Sequence, residues 1–420
     1  MSLLRALQKK NGITWPELCL ILVESLQWMA HNAVYFLGII AAATYDLGGD
    51  AFLVAGIMLV HNFATSFGNV VAGPVVDRIG PRRTVVASLA ASAAGSLVVG
   101  LCPTSAPKLF FAAVMLGLTG GFINTCTKAF PAYLTDDHDE LQRVNALMVF
   151  YSNIAFAMGP VVGGVIVRFC PSRVTFLFMA ITRGLAIIPA LACEEQLAPD
   201  RNAHEAGGES IFGGMLEGAR LTFANRTLRT IFVAGFLGFC AFGAFDSLES
   251  LYYRDVLEVG SDWMGWLSAV AGFTGIVGAY VVTKIDGGRV KLRMLLCTLL
   301  AMGFSSMLYV GTPWLACACL GQAGIGLCWG VFEPIEAMLV QEEAPISHMG
   351  RIMGFQRFGL MMAGVVPLLV APFIARIVGA QAVLFGASCI IASVGAVFVT
   401  RDVLRAKAPS CPFACEEERA

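Results

Sequence analysis

The stretch GPVVDRIGPRR, residues 73–83, places one acid and three arginines between two long apolar runs. Such a cluster is typical of a loop leaving a membrane, because Lys and Arg are retained in the loops on the cytoplasmic side. Gly73 would permit a close helix approach, and Gly80 with Pro81 favours a tight turn. Asp77 falls at the predicted end of a helix, where the backbone dipole disfavours an anion, so it requires a basic group or another helix N-terminus as partner. By composition alone, an ordinary positively charged loop fits the stretch equally well.

The whole chain repeats this arrangement of apolar runs and short charged clusters. Of its 420 residues, 57% are hydrophobic and 14% are charged, whereas a soluble domain carries about 25% charged residues. The apolar runs are about 20 residues long, the length of a helix that crosses about 30 Å of hydrocarbon. A soluble fold would have to bury nearly every helix on all sides and is excluded. The formal net charge of −1 indicates no nucleic-acid partner.

Twelve apolar runs predict an all-α integral membrane protein with twelve transmembrane helices. Their predicted centres lie near Gln27, Ala64, Ala93, Gly120, Phe156, Arg183, Phe242, Val270, Ala301, Leu327, Val365 and Ile390. The longest polar stretch, residues 193–214, falls between the sixth and seventh runs. We therefore predict an N-terminal six-helix bundle over 1–193, a cytoplasmic linker over 194–228, a C-terminal six-helix bundle over 229–402 and a cytoplasmic tail over 403–420.

Loop charge predicts the orientation. The N-terminal lead-in and the loops after even-numbered spans carry most of the Lys and Arg, so both termini are expected on the cytoplasmic side of the plasma membrane, the bacterial inner membrane. The lead-in MSLLRALQKKNG (1–12) is basic, and no Ala-x-Ala-like site closes the apolar run after it. We interpret it as a cytoplasmic segment and not as a cleaved signal peptide.

The two halves also repeat each other. VVDRIGPRR (75–83) has a counterpart in VVTKIDGGR (281–289), at an offset of 206 residues (284 − 78). RVNALMVF (143–150) pairs with RIMGFQRF (351–358) at an offset of 208 (351 − 143). Parallel six-helix halves are the plan of transporters that hold their substrate at the interface between the halves, near the midplane.

The order Gly-x-x-x-Asp-Arg-x-Gly followed by basic residues resembles the signature loop of the major facilitator superfamily. The resemblance implies two pseudo-symmetric six-helix bundles and a conformational latch between them, carried by the acid and its arginine. The residues of this expected latch are Gly73, Asp77, Arg78, Gly80, Arg82 and Arg83. The second-half copy has Thr283 in place of the acid, so the repeated latch is expected to be weakened or lost.

The fifth span contains a second motif, GPVVGG (159–164). It resembles the Gly-Pro-x-x-Gly-Gly motif of proton-coupled exporters in this superfamily. Its matching residues are Gly159, Pro160, Gly163 and Gly164. The proline would kink the helix and the glycines would allow close packing, so a generic packing face is the alternative. Residues 251–279 and 341–355 resemble the enterobactin-exporter and macrolide-efflux branch.

Ionisable residues within the spans are candidate functional groups, because each is costly in hydrocarbon unless it faces a cavity or a partner. Glu24, Gln27 and His31 follow the spacing i, i+3, i+7 and share one face of the first span. In the family this span lines the central cavity, and an acid here is similar to the one that binds protons or cations in multidrug exporters. We therefore expect Glu24 to be the leading proton or cation site; a structural hydrogen bond to a neighbouring helix is the alternative.

The seventh and tenth spans carry further acids. Asp246 and Glu249, at i and i+3, are close enough to share a proton, unless Glu249 lies hydrated at the headgroup boundary. Glu333 and Glu336 share a face and are expected to line the inner vestibule or to form a salt bridge with Arg351 or Arg357, the favoured interpretation being structural. Arg183, near the middle of the sixth span, requires a partner or water, and a helix carbonyl or a Glu is favoured over substrate.

These features predict a monomeric secondary transporter in a lipid bilayer that exports an amphipathic small molecule, drug or siderophore-like, and is driven by the proton gradient. Two alternatives remain: a proton-coupled importer of a small nutrient, and a non-transporting membrane sensor or scaffold. We find no phosphate-binding loop, no paired metal ligands and no nucleophile elbow. Hence we expect no enzymatic activity, no metal and no cofactor.

Overall fold

The computed structural model describes residues 14–134, 138–193, 211–285, 291–344 and 348–407. Within these ranges, 12 helices are long and apolar enough to cross a membrane. This confirms the predicted number, and every predicted centre falls inside one of the helices. No strand occurs in the same ranges. The N-terminal lead-in and the end of the tail lie outside them.

Six spans form the N-terminal half. They are Trp15–Asp46, Ala51–Ile79, Pro81–Leu101, Ala106–Ala129, His138–Phe169 and Val174–Ala192. The first span begins where the Glu17 carboxylate accepts a hydrogen bond of 2.6 Å from the Thr14 backbone N–H, with Pro16 in the first turn. Glu17 also forms an ion pair of 2.6 Å with Arg143, which ties the start of the first span to the fifth.

The first span changes its winding midway. It is α-helical over Trp15–Asn32 and then π-helical over Ala33–Ile40 and Ala42–Asp46. π-Helical winding is rare, is found mostly as single turns, and is frequent at functional sites. The wider turns bring Thr44 against the seventh span, where its hydroxyl donates a hydrogen bond of 2.8 Å to Ser250.

Six further spans form the C-terminal half. They are Arg226–Asp255, Asp262–Thr283, Leu292–Val310, Leu315–Glu343, the pair Met349–Ala363 and Val365–Val378, and Ala380–Lys407. The eleventh span is interrupted at Gly364, which packs against Gly243 of the seventh: a Cβ built on Gly243 would lie 2.5 Å from the Gly364 carbonyl oxygen. Only a residue without a side chain fits at this crossing.

Part of the predicted linker is a helix, Ile211–Ala224. Its Glu217 forms ion pairs with Arg351 and with His348, the latter at 3.2 Å between Nε2 and Oε1. A Cβ on Gly218 would clash with the Arg351 carbonyl oxygen, so the helix lies close against the eleventh span. The linker helix is therefore fixed to the C-terminal half. The preceding residues 194–210 lie outside the described ranges.

The two halves meet at the end of the bundle where the first span finishes, here termed the closed end. Arg254 Nη1 donates hydrogen bonds to the carbonyl oxygens of Thr44 (2.7 Å) and Gly49 (2.9 Å). Beside them, the Phe52 ring of the second span packs on Phe373 of the eleventh with ring centroids 4.7 Å apart. Polar and aromatic contacts thus join the first, second, seventh and eleventh spans.

The GPVVGG motif lies in two close helix contacts. A Cβ on Gly159 would lie 2.7 Å from the Met29 carbonyl oxygen of the first span, and a Cβ on Gly265 of the eighth span would clash with the Pro160 carbonyl oxygen. Gly164 faces that same glycine, Gly265. The motif therefore packs the fifth span against its own half and against the eighth span near the closed end.

The signature loop lies at the opposite end of the bundle. Gly80 has φ 87°, a conformation that favours glycine, and it separates the second and third spans as predicted. Arg82 donates a hydrogen bond to the Leu191 carbonyl oxygen, which joins the third span to the sixth within one half. The expectation that another helix packs closely on Gly73 is wrong for the described residues. A Cβ built on Gly73 would meet no atom within 4 Å, because this side of the helix faces open space. Arg78 and Arg83 are exposed, and the side chain of Asp77 lies outside the described part of the structure.

Candidate functional site

One face of the seventh span is directed at the first span. Asp246, Ser250 and Arg254 follow the spacing i, i+4, i+8 and therefore lie in one row. Ser250 and Arg254 bond to the first span at the closed end, and Asp246, two turns earlier, interacts electrostatically with Tyr35. Asp246 is exposed, whereas Ser250 is buried. Asp246 thus lies on the accessible part of the face that the seventh span turns to the first; we term the space between these two faces the central cavity.

Glu249 is held by a hydrogen-bond network inside the C-terminal half. Its Oε1 accepts from Gln322 Nε2 of the tenth span (3.0 Å) and lies within hydrogen-bond distance of Tyr253 Oη of its own span (3.0 Å) and of Tyr309 Oη of the ninth (2.7 Å). Tyr309 is 0% exposed and Tyr253 2%. The carboxyl group is therefore held by side chains of its own half, in contrast to the simple hydration considered from the sequence. The sequence analysis does not identify Tyr309 or Gln322 as functional residues. The signal that could have found them is that each is a polar side chain within an apolar span.

Aromatic rings cover the N-terminal side of the central cavity. Tyr35 packs on His61 with ring centroids 4.5 Å apart, His31 lies 5.4 Å from His61, and Trp28 lies 5.9 Å from His31. Trp28 also contacts Phe156 of the fifth span at 5.9 Å. Neither ring nitrogen of His61 has a hydrogen-bond partner among the described residues. His31 is half-buried at the edge of this cluster.

The C-terminal half carries aromatic rings as well, partly exposed at Phe239, Phe242 and Trp329 and buried at Phe245. Phe242 and Phe245 of the seventh span lie 5.3 Å apart, and Phe239 lies 5.1 Å from Trp329 of the tenth span. Pockets lined by aromatic rings with a small number of polar groups suit ligands that are largely apolar. Partly exposed aromatic rings of both halves thus accompany the exposed carboxyl group of Asp246.

Glu24 and Gln27 lie inside the N-terminal half, not on the surface of the central cavity. They are 5% and 2% exposed. Glu24 Oε1 accepts a hydrogen bond of 2.8 Å from Trp28 Nε1, and its Oε2 has no hydrogen-bond partner among the described residues. The spacing i, i+3, i+7 places the stripe on one side of the helix, but only His31 reaches the edge of the cavity.

Arg183 explains the position of Glu24. Its guanidinium group is 0% exposed, and none of its nitrogens has a hydrogen-bond partner among the described residues. The charges of Arg183 and Glu24 attract each other across the contact of the first and sixth spans. A fully buried guanidinium requires a counter-charge, and Glu24 is the acid whose charge acts on it. The expected partnership with a Glu is thus electrostatic, with no ion pair in direct contact among the described residues.

The acids of the tenth span are separate from this pair. Glu333 is exposed and Glu336 half-buried, next to Trp329, whose ring stacks on Phe332 at 6.5 Å. Arg351, one of the expected partners, pairs with Glu217 of the linker helix. In the ranges that the structure describes, no group of three or more His, Cys, Asp or Glu side chains is placed to hold a metal ion.

Comparisons with known proteins agree with this architecture. A family model described as Major Facilitator Superfamily matches residues 20–366. A relative from Mycobacterium tuberculosis (strain ATCC 25618 / H37Rv), named Multidrug efflux pump Tap, is 27% identical over 373 residues and covers 85% of this chain and 86% of the relative. The pump of the same name from Mycolicibacterium fortuitum is 24% identical over 350 residues, covering 79% and 83%.

Solved structures show the same fold at low sequence identity. The nucleoside transporter NupG superposes with a TM-score of 0.70 at 12% identity, covering 92% of this chain and 98% of its own. A POT family transporter in complex with 5-aminolevulinic acid superposes with a TM-score of 0.72 at 12% identity, covering 93% and 96%. At this level of identity the similarity concerns the fold alone.

Proposed function

The chain belongs to the major facilitator superfamily, and from this premise we propose that it is a proton-coupled exporter of amphipathic small molecules, drugs among them. The single observation that carries the proposal is the central cavity. The halves are in contact at its closed end, partly exposed aromatic rings of both halves lie near it, and the exposed carboxyl group of Asp246 faces it. Relatives named multidrug efflux pumps support the direction and the cargo class.

The proposed cycle exchanges two conformations by rocking one half against the other. In the conformation described here the halves meet at the closed end and cargo reaches the cavity from the opposite side. We place both termini and the signature loop in the cytoplasm of a cell whose plasma membrane holds the protein, on the strength of the loop charges. The cavity then opens to the cytoplasm, as an exporter requires for loading.

Protons are proposed to act at the acids of the seventh span. Asp246 and Glu249 are one turn apart, and their charges interact. In the proposed cycle, cargo and protons compete for these two carboxyl groups. We assign Glu24 a different part: it is the counter-charge of Arg183 inside the N-terminal half, with Gln27 beside it and His31 at the edge of the cavity. We place Glu333 and Glu336 at the end of the central cavity opposite the closed end. The protein is proposed to work as a monomer, with no cofactor beyond the proton gradient.

An efflux assay tests the proposal. Everted membrane vesicles or proteoliposomes loaded with ethidium, a cationic amphipathic dye, receive an imposed pH gradient of either sign. We expect the wild type to move ethidium against the proton flow and Asp246→Asn to lose gradient-driven movement while still binding the dye. Movement in the same direction as the protons would instead indicate the importer, and transport that ignores the gradient would refute proton coupling.

A further inference from the structure

Three oxygen atoms in the C-terminal half form a closed triangle. Glu249 Oε1 lies 3.0 Å from Tyr253 Oη and 2.7 Å from Tyr309 Oη, and the two phenol oxygens lie 2.6 Å apart. All three separations are hydrogen-bond distances for O–H···O pairs. Each side of the triangle therefore needs a hydrogen atom between its two oxygens.

The two phenols cannot supply all three hydrogen atoms, because each carries a single O–H. If Glu249 is ionised, it accepts from both phenols, and the side between Tyr253 and Tyr309 is left without a hydrogen. Two phenol oxygens at 2.6 Å would then face each other with lone pairs alone. The Gln322 amide does not fill this side, since it donates to Glu249 Oε1 at 3.0 Å and lies 3.5 Å from Tyr253 Oη.

We propose that Glu249 carries a proton in this conformation and that this proton completes a ring of three hydrogen bonds with Tyr253 and Tyr309. Glu249 donates to Tyr309, Tyr309 donates to Tyr253, and Tyr253 donates back to Glu249. Release of the proton to water leaves the carboxylate accepting from both phenols and forces the two phenol oxygens apart. Tyr253 and Tyr309 are thus positioning residues for a proton-binding site.

The surroundings suit a site that gains and loses a single proton. The groups that face Glu249 are Tyr253 and Asp246 of its own span, Tyr309 of the ninth and Gln322 of the tenth; Asp246 is the one acid among them. Glu249 is half-buried, so its proton can exchange with the cavity. Because the ring joins the seventh and ninth spans, and Gln322 of the tenth donates to Glu249, losing the proton changes how these helices are held together. The ring would be the proton-binding site of the proposed transport cycle. Its role in transport rests on the proposed function, whereas its hydrogen bonds do not.

Infrared difference spectroscopy of the purified protein tests the ring directly. The wild-type spectrum minus the Glu249→Gln spectrum, recorded during a titration from acid to alkaline pH, should contain the carbonyl band of a protonated carboxyl group that disappears at alkaline pH. In Tyr309→Phe and in Tyr253→Phe the band should shift to higher frequency, because the carboxyl group has lost one of its hydrogen bonds.

The matched control is Tyr252→Phe. The Tyr252 hydroxyl donates to the backbone carbonyl oxygens of Tyr309 (2.9 Å) and Thr312 (3.0 Å), outside the ring, so its removal should leave the band in place. Absence of any carboxyl band assigned to Glu249, or an unshifted band in both ring variants, would overturn the proposal. The two ring variants keep the test valid if Glu249→Gln does not fold.

The failure of this inference can be told apart from the failure of the proposed function. The infrared band depends on the protonation of Glu249 and not on transport. A shifted band in a protein that moves no ethidium leaves the ring standing and refutes the exporter. Gradient-driven ethidium movement without a Glu249 band leaves the exporter standing and refutes the ring.

Discussion

We predict that substituting Glu24 and substituting Arg183 destabilise the protein to different extents. Arg183 is 0% exposed and Glu24 5%, so either single substitution leaves one buried group without its counter-charge. Removing one partner of a buried ion pair in direct contact costs about 3–5 kcal/mol, and the loss here is expected to be smaller because Glu24 and Arg183 interact without a direct contact. An arginine cannot lose its proton in a protein, whereas a glutamate can take one up. Glu24→Gln should therefore destabilise the protein more than Arg183→Met.

The double variant Glu24→Gln with Arg183→Met removes both charges and should recover most of the loss, since replacing a whole buried pair is often neutral. The amide introduced by Glu24→Gln would keep an acceptor oxygen for Trp28 Nε1, which Glu24 Oε1 bonds at 2.8 Å. The measurement is the free energy of unfolding in mixed detergent micelles, analysed as a double-mutant cycle. The control is Asp246→Asn, an exposed carboxyl whose change is expected to stay within about 0.5 kcal/mol.

Two results would refute this reasoning. One is a Glu24→Gln protein as stable as the wild type. The other is a double variant whose destabilisation equals the sum of the two single losses, because the two side chains would then be energetically independent. If instead Glu24→Gln keeps full stability and loses only proton-driven efflux, Glu24 is the proton site that its place in the first span predicts.

Three further predictions concern the conformational cycle. Arg254→Gln removes a charged donor to the Thr44 and Gly49 carbonyl oxygens, a loss of about 1.5–3 kcal/mol. The population of molecules whose closed end is open should therefore increase. Distances between spin labels on the two closed-end loops measure this population, and an unchanged distance distribution would contradict the prediction. Gly265→Ala places a Cβ in a clash with the Pro160 carbonyl oxygen and should shift the same distances in the same direction, while Gly386→Ala, where a Cβ meets nothing within 4 Å, should not. Asp77→Asn should slow ethidium turnover without weakening ethidium binding, and a change in affinity alone would argue against the latch.

The number and order of the spans could be predicted from the sequence because hydrophobic length and loop charge are local properties. The neighbours of each polar side chain could not. Helical spacing places Glu24, Gln27 and His31 on one side of a helix. It does not predict that Glu24 lies inside the N-terminal half, where its charge interacts with that of Arg183, a residue far along the chain. Similarly, Tyr309 lies 60 residues from Glu249, and no local pattern connects them.

The π-helical winding of the first span was not predicted either. Residues 33–46 read as an ordinary apolar run, and nothing in their composition distinguishes wide turns from α-helical ones. The contacts that require it are tertiary: Gly38 lies where a Cβ would clash with Thr175 Oγ1, and Thr44 bonds to Ser250 across the interface. The conformation of a helix that touches both halves is thus set by its neighbours more than by its own residues.

The closed end is held by contacts that water can replace at small cost. Its hydrogen bonds end on carbonyl oxygens and hydroxyl groups, and its tightest helix crossing is between Gly164 and Gly265. A neutral hydrogen bond contributes about 0.5–1.5 kcal/mol net and one from a charged donor such as Arg254 about 1.5–3 kcal/mol, and separating two glycines exposes little apolar area. The two arrangements of the halves can therefore be nearly equal in free energy, so that a weakly bound cargo, and not only a tight one, is enough to choose between them.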